Sequence, residues 1–444
     1  MVSRFPAGLM ACMGGALLAA PAALAQQGYS PTPAQQGSAQ AQQGYLAPTF
    51  EVLKPTIPEL VGVVERPRPE YDAAGVHIGT FTWYPALESV IAYDDNIYAT
   101  RNGTVGEWLG KVRPELRVKS NWNVHAFEAY GMVEGIGYQD NSADNQVNAR
   151  LNANGVIDVT RDSRIRYYGD YSHAHEDRSI SGLFNQLSIG LLREPVEFDN
   201  VSTGAAFDQK FNHTTVSVSG HYGHQVFQNN FNGSTPVDES FRNVDIYGTS
   251  LRLGQDIGPS AQAYVEGGYE RHDYKLLSFN SDSYRLVGGF AGNISHLVVG
   301  DVFIGYQDRN YDQSVIHGVN DLTYGGALTW YVTPLMTAAL FGQRTINEST
   351  FGAVGTFIQS QIGTRLDYEA MRNLILTGRF GFEWDDYNQV NRNDHVIAAG
   401  VTATYLLNRN AHVALDYRLT DRTSNLGGLN YVRDVVGATL RLQY

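Results

Sequence analysis

The chain has 444 residues, with 32 Lys and Arg against 45 Asp and Glu, for a formal net charge of −13. That balance argues against nucleic acid as a partner, and a single cysteine excludes a disulfide framework. No run of about 18 apolar residues follows the N-terminal region, which excludes a spanning helix there; 27 Tyr and 46 Gly instead suit half-polar strands with aromatic girdles.

At the N-terminus, Arg4 supplies a positive n-region, residues 9–24 form an Ala/Leu/Gly-rich apolar run broken by Pro21, and Ala23-Leu24-Ala25 is a small-x-small cleavage site. Residues 1–25 are therefore expected to be a cleaved secretory signal. Leu9-Met10-Ala11-Cys12 resembles a lipoprotein box only loosely, because few apolar residues precede it and the run continues beyond it. Cleavage after Ala25 removes Arg4 and Cys12, leaving no thiol and moving the charge from −13 to −14. Residues 26–76 are rich in Gln, Ala, Pro and Gly without helical or strand periodicity. That composition predicts a disordered periplasmic tether, with a periplasmic partner as the alternative use.

From about residue 77 apolar and polar residues alternate, and the alternation breaks in two ways. Tight turn chemistry stands at 120–123, 161–163, 212–213, 257–259, 295–296, 333–334, 371–373 and 408–410. Longer polar breaks stand at 100–107, 140–145, 177–198, 229–242, 276–281, 312–320, 349–356, 389–393 and 423–430. The two kinds take strict turns, as in outer-membrane barrels with short periplasmic turns and longer outer loops. The expected fold is all-β: a transmembrane antiparallel up-and-down β-barrel over residues 77–444, with about 18 strands (16–18). Both termini then lie on the periplasmic side.

The charges orient the strands. Over residues 108–120, Lys111, Arg113, Glu115, Arg117 and Lys119 share one face, opposite Val112, Pro114, Leu116 and Val118. A charge on the lipid face costs about 2–4 kcal/mol at the midplane, so this row is expected in the lumen. The same test turns Arg164, Arg166 and Asp170 inward, and likewise Arg379 with Glu383 and Asp416 with Arg418 and Arg422. Glu128, Glu134, Glu266, Asp301, Arg365 and Asp367 follow by the same rule. A barrel this wide leaves an aqueous channel unless something fills it. The mixed signs fit cross-strand structural pairing as well as solute selection. The apolar outer loop at 177–198, with Ile180 and Leu192, is a candidate to fold inward.

No catalytic or cofactor chemistry is legible. There is no G-x-S-x-G elbow, phosphate loop, zinc motif or Ca²⁺ loop. His173 and His175 share one strand face at metal-compatible spacing, but outward and near the rim; His221 and His224 fall on opposite faces. No metal, cofactor or enzyme activity is expected.

The chain closes on Gly437-Ala438-Thr439-Leu440-Arg441-Leu442-Gln443-Tyr444. Leu440, Leu442 and Tyr444 share one face and end on an aromatic, the kind of strand that barrel-insertion machinery reads. Residues 79–98, with Trp83-Tyr84-Pro85 and Asp94-Asp95-Asn96-Ile97-Tyr98, resemble the opening strand of the putative β-barrel porin 2 family. Ala414-Leu415-Asp416-Tyr417-Arg418, Ser424-Asn425 and residues 431–444 resemble its closing hairpin. The resemblance implies an outer-membrane barrel among lipid and lipopolysaccharide, of porin type, sometimes associated with surface-polysaccharide export, and it supplies no catalytic residues. The expected function is passive diffusion of small hydrophilic solutes; the alternatives are an export pore with periplasmic partners or a non-conducting structural barrel.

Overall fold

In the computed structural model, which describes residues 61–176, 194–232, 234–348 and 356–444, the alternating stretches form eighteen long antiparallel strands. They are β1 Phe81–Asp94, β2 Glu107–Ser120, β3 Ala126–Tyr138, β4 Gln146–Asp158 and β5 Ser163–His175. Next come β6 Glu197–Phe211, β7 Thr214–Phe227, β8 Val244–Gly258, β9 Ala261–Tyr274 and β10 Ser281–Asn293. After them run β11 Val298–Tyr311, β12 Val319–Thr333, β13 Met336–Glu348 and β14 Thr356–Met371. The last four are β15 Leu374–Tyr387, β16 Arg392–Asn408, β17 Ala411–Ser424 and β18 Tyr431–Gln443. Each pairs with its neighbour in sequence, and β18 returns to β1 from Ala86↔Gln443 to Asp94↔Val435. Closure removes the sheet edge that an amphipathic terminal strand would otherwise expose.

The connections alternate in length. At one end Asn212-His213, Pro259-Ser260 and Arg409-Asn410 join strands in two residues, and Asn212 takes φ 57, a left-handed conformation that asparagine tolerates. The other end carries the long connections, including a small hairpin of Asn230–Asn232 with Thr235–Val237. The strands run from 13 to 17 residues, longer than the roughly 9–11 that a tilted membrane strand needs. The surplus projects toward the long-loop end.

Outward residues form the apolar belt: Ile91, Val112, Leu286, Ile304 and Leu415 are each more than half exposed. Tyrosines rim the belt on the long-loop side. Tyr222 stacks near Tyr247 and Tyr269 near Tyr284, with ring centroids 5.3 and 5.2 Å apart. Tyr171, Tyr222, Tyr269 and Tyr417 donate to Asp199, Asp245, Asp282 and Asp434 at 2.6–2.9 Å. Each ring thus stays on the apolar belt while its hydroxyl reaches an acidic, hydrated rim, as interfacial aromatics do.

The disorder expected through residue 76 does not hold for residues 61–76. Within the described residues the chain from 61 onward docks inside the short-turn mouth. Val63 is 1 % exposed against Ile375 of β15 and Leu406 of β16, and its N–H donates to Thr337 of β13 at 2.9 Å. Arg66 and Arg68 both reach Glu369 of β14, at 3.0 and 2.7 Å. The Tyr71 carbonyl accepts from His412 of β17 at 3.1 Å and Gln443 of β18 at 3.3 Å. Val76–Ile78 then pairs with β1 across Gly79, whose φ of +60 makes the tight reversal. A few apolar and charged anchors scattered through a Pro-rich stretch show no period, so composition alone misses them.

Candidate functional site

The barrel interior is the site that the fold assembles. Alternate residues of the strands point into it, and many of them are polar or charged and paired with one another. At the closing seam Glu88 of β1 stands opposite both Arg113 of β2 and Arg441 of β18. Arg113 reaches Glu88 at 2.6 Å and Glu134 at 3.6 Å, while Arg441 bonds Glu115, which also accepts from Tyr130 at 2.9 Å. Lys111 follows Arg113 on the same face, opposite Val90 and Ile136. Lower on the same strand Arg117 and Lys119 share Glu128, at 3.5 and 3.9 Å.

Around the wall the pattern repeats. Asp170 takes Arg150 at 2.8 Å, and Asp208 takes Arg166 in a bidentate pair at 2.6 and 2.8 Å. Arg164 lies opposite Asp158 and Asp208. Glu266 joins Arg252 and Arg285, at 2.6 and 2.7 Å, and Asp301 accepts from Tyr264 at 2.7 Å. Arg365 bonds Asp367 at 2.9 Å, Arg418 bonds Asp416 at 3.3 Å, and Arg422 shares Asp394 with Arg392. Arg379 and Glu383 are buried on β15 between these groups. Such charge-assisted bonds between adjacent strands stiffen the wall as well as line it.

One stretch breaks the inward-outward rule. β12 pairs with β13 only as far as Tyr324↔Arg344, although β12 continues to Val319 and β13 to Glu348. Beyond Arg344, β13 pairs only with β14, through Glu348↔Thr356. Parity would turn Arg344, Ile346 and Glu348 toward lipid, yet Ile346 is 2 % exposed and Glu348 4 %. The last residues of β13, Arg344 to Glu348, have left the wall and lie inside it. Arg344 bonds Asp321 on the inner face of β12 at 2.6 Å. Glu348 accepts from His272 and Tyr274 of β9 at 2.7 and 2.6 Å, Ser281 of β10 at 2.7 Å and Arg309 of β11 at 2.6 Å. Arg309 also contacts Glu270 at 3.3 Å. The hairpin narrows the long-loop half of the barrel against the β9–β11 wall.

The two histidines of β5 keep one face, with ring centroids 5.8 Å apart. His173 faces Asp199 at 3.1 Å, half-buried, whereas His175 is buried and meets Asn148 at 2.9 Å and its cross-strand partner Glu197 at 3.3 Å. No cluster of three metal-ligating side chains occurs among the described residues. The apolar loop expected at 177–198 lies, up to residue 193, outside the described residues. Near it Arg242 stacks 3.8 Å from the Phe227 ring and bonds Glu176 and Glu239. Burial, reinforced by Glu176, pushes the Glu239 carboxyl above its usual range against the pull of Arg242. A carboxyl raised by folding weakens the fold as pH climbs from the unfolded to the folded pKa. Glu239→Gln should thus leave this loop as protease-resistant at neutral pH, or more so. Arg242→Ala, which strands two buried carboxylates, should open it at a cost of about 3–5 kcal/mol and expose residues 228–243 to limited proteolysis.

Inward residues that sequence reading passed over include Glu88, Arg252, Glu270, Arg309, Arg392 and Asp394. Arg309 continues the parity of Asp301 and Gln307, and Glu270 that of Glu266, so both were reachable by extending those rows. Glu348 was not, because its parity points the wrong way.

No curated protein matches the chain. Among solved structures, the Pseudomonas aeruginosa protein OpdO is 13 % identical, with 83 % of this chain and 98 % of that one covered and a TM-score of 0.42. The outer membrane protein opdK from the same organism is 12 % identical, covering 82 % and 99 %, with a TM-score of 0.40. The siderophore receptor PirA, also from Pseudomonas aeruginosa, is 7 % identical, covering 82 % and 80 %, with a TM-score of 0.42. The family described as putative beta-barrel porin 2 matches residues 68–444, the whole barrel and the docked segment from Arg68 onward. The chain belongs to that family, and it is an outer-membrane β-barrel of porin type.

Proposed function

We propose that this barrel is a non-enzymatic channel for passive diffusion of small hydrophilic solutes, narrowed by its own hairpin and N-terminal segment. The observation that carries the reading is the contrast of faces: a continuous apolar belt outside, and inside it ion-paired rows on strands all around the wall. An 18-strand circumference is wide enough for water, and a charged wall keeps water there. Lys111, Arg113, Glu115, Arg117, Glu128, Glu134, Arg164, Arg166, Asp170, Glu266, Asp301, Arg365, Asp367, Arg379, Glu383, Asp416, Arg418 and Arg422 are the pore-lining residues of this reading. The short turns and both termini lie in the periplasm, residues 1–25 are the signal, and Gly437, Leu440, Leu442 and Tyr444 carry the insertion signal.

Single-channel recording of refolded residues 26–444 in a planar bilayer tests it. Uniform stepwise openings are expected. Silence from folded, heat-modifiable protein would reject passive diffusion and leave the reading favoured by the near-complete burial of Arg309 and Arg392, a structural barrel with a filled lumen.

A further inference from the structure

Four neighbouring strands set three arginines in one row of the interior. Arg365 of β14 lies directly opposite Arg379 of β15, Arg379 opposite Gly400 of β16, and Gly400 opposite Arg418 of β17. The next inward row toward the short turns reads Asp367, Thr377, Thr402, Asp416; the next toward the long loops reads Gly363, Gly381, Ala398, Thr420. The two aspartates are each held by the arginine of their own strand, Arg365 on Asp367 and Arg418 on Asp416. Arg379 has no carboxylate within ion-pair distance among the described residues. Its Nη1 donates to Thr402 at 3.1 Å, while Nε and Nη2 are buried without a partner, on a side chain 5 % exposed.

Like charges directly opposite one another destabilise a strand pair, and a buried cation without an anion is costlier still. Here three guanidinium groups face two carboxylates, and the row above them is almost bare of side chains. Sign and a planar donor fork coincide, and that fork matches two oxygens of one oxyanion. We propose that Arg379, flanked by Arg365 and Arg418 below the side-chain-poor row of Gly363 and Gly381, binds the carboxylate or phosphate group of a small solute. This assigns a solute class to the channel and rests on that reading.

The test is calorimetric titration of the detergent-folded mature chain with succinate and, separately, with inorganic phosphate, alongside single-channel recording. Saturable binding is expected from at least one probe. The preferred probe separates a carboxylate solute from a phosphate one. Arg379→Gln should weaken binding at least about ten-fold, the worth of one charge-assisted hydrogen bond. Arg379→Lys should recover only part, since an ammonium group cannot fork. Gly381→Leu, which adds bulk to the row above Arg379 and leaves every charge in place, should abolish binding and covers the case in which an Arg379 variant fails to fold. No saturable binding by folded wild type, or wild-type affinity in both Arg379→Gln and Gly381→Leu, overturns the proposal. Binding by a barrel that passes no current keeps the site and rejects diffusion; current without binding does the reverse.

Discussion

Replacing Glu348 with alanine is expected to free the long-loop end of the β13–β14 hairpin and to raise single-channel conductance severalfold. Among the described residues of this hairpin, the Glu348 carboxylate touches β9, β10 and β11 together, through His272, Tyr274, Ser281 and Arg309. Its removal leaves Arg309 with only the longer ion pair to Glu270 and vacates five hydrogen bonds, Tyr311 at 3.3 Å being the fifth, a loss of about 3–5 kcal/mol for a broken buried pair. The barrel itself should survive, because β13 still pairs with β12 up to Arg344 and with β14 along its length. Folded protein would therefore keep its heat-modifiable migration while its openings grow larger and noisier. Removing both charges, with Arg309→Met and Glu348→Leu, should be milder than either single change, since the ion pair goes as a whole and Glu270 keeps His272 at 2.8 Å. Unchanged conductance in Glu348→Ala would show that pairing with β14 alone holds the hairpin in place.

That hairpin also marks where the sequence stops being legible. The strand count, the alternation of short and long connections and the closing strand all follow from period-two patterning, because a barrel wall imposes one rule on every strand. Rows such as Lys111, Arg113, Glu115 and Arg117 announce their face, since no membrane face tolerates four charges. A lone Glu88 between apolar neighbours makes no row, and its role appears only when register brings Arg113 and Arg441 to either side. Glu348 fails for a different reason. Parity reports which face of a strand a residue occupies, and nothing in the local pattern states that the strand has left the sheet. Arg379 was legible as an inward charge, but its lack of a carboxylate depends on what Asp367 and Asp416 already hold.

Residues 61–75 supply the second large effect. This segment follows the inner rim of the short-turn mouth from β13, past β14 and β16, to β17 and β18 before joining β1. It holds on through one buried apolar side chain, two arginines on a single carboxylate and a few carbonyl contacts. Burying Val63 contributes about 1.5–3 kcal/mol, and the Arg66–Glu369 pair is too exposed to add much. Val63→Asp should therefore undock the segment, because a carboxylate cannot sit between Ile375 and Leu406 without a partner. A chain beginning at residue 76 should behave the same way, with wider openings and an unchanged barrel. The point substitution and the truncation are informative together. If both enlarge the openings equally, docking at Val63 is what narrows the mouth. If only the truncation does, the segment obstructs the mouth by its bulk wherever it lies. If neither does, the constriction lies at the hairpin, and Glu348 controls the conductance alone.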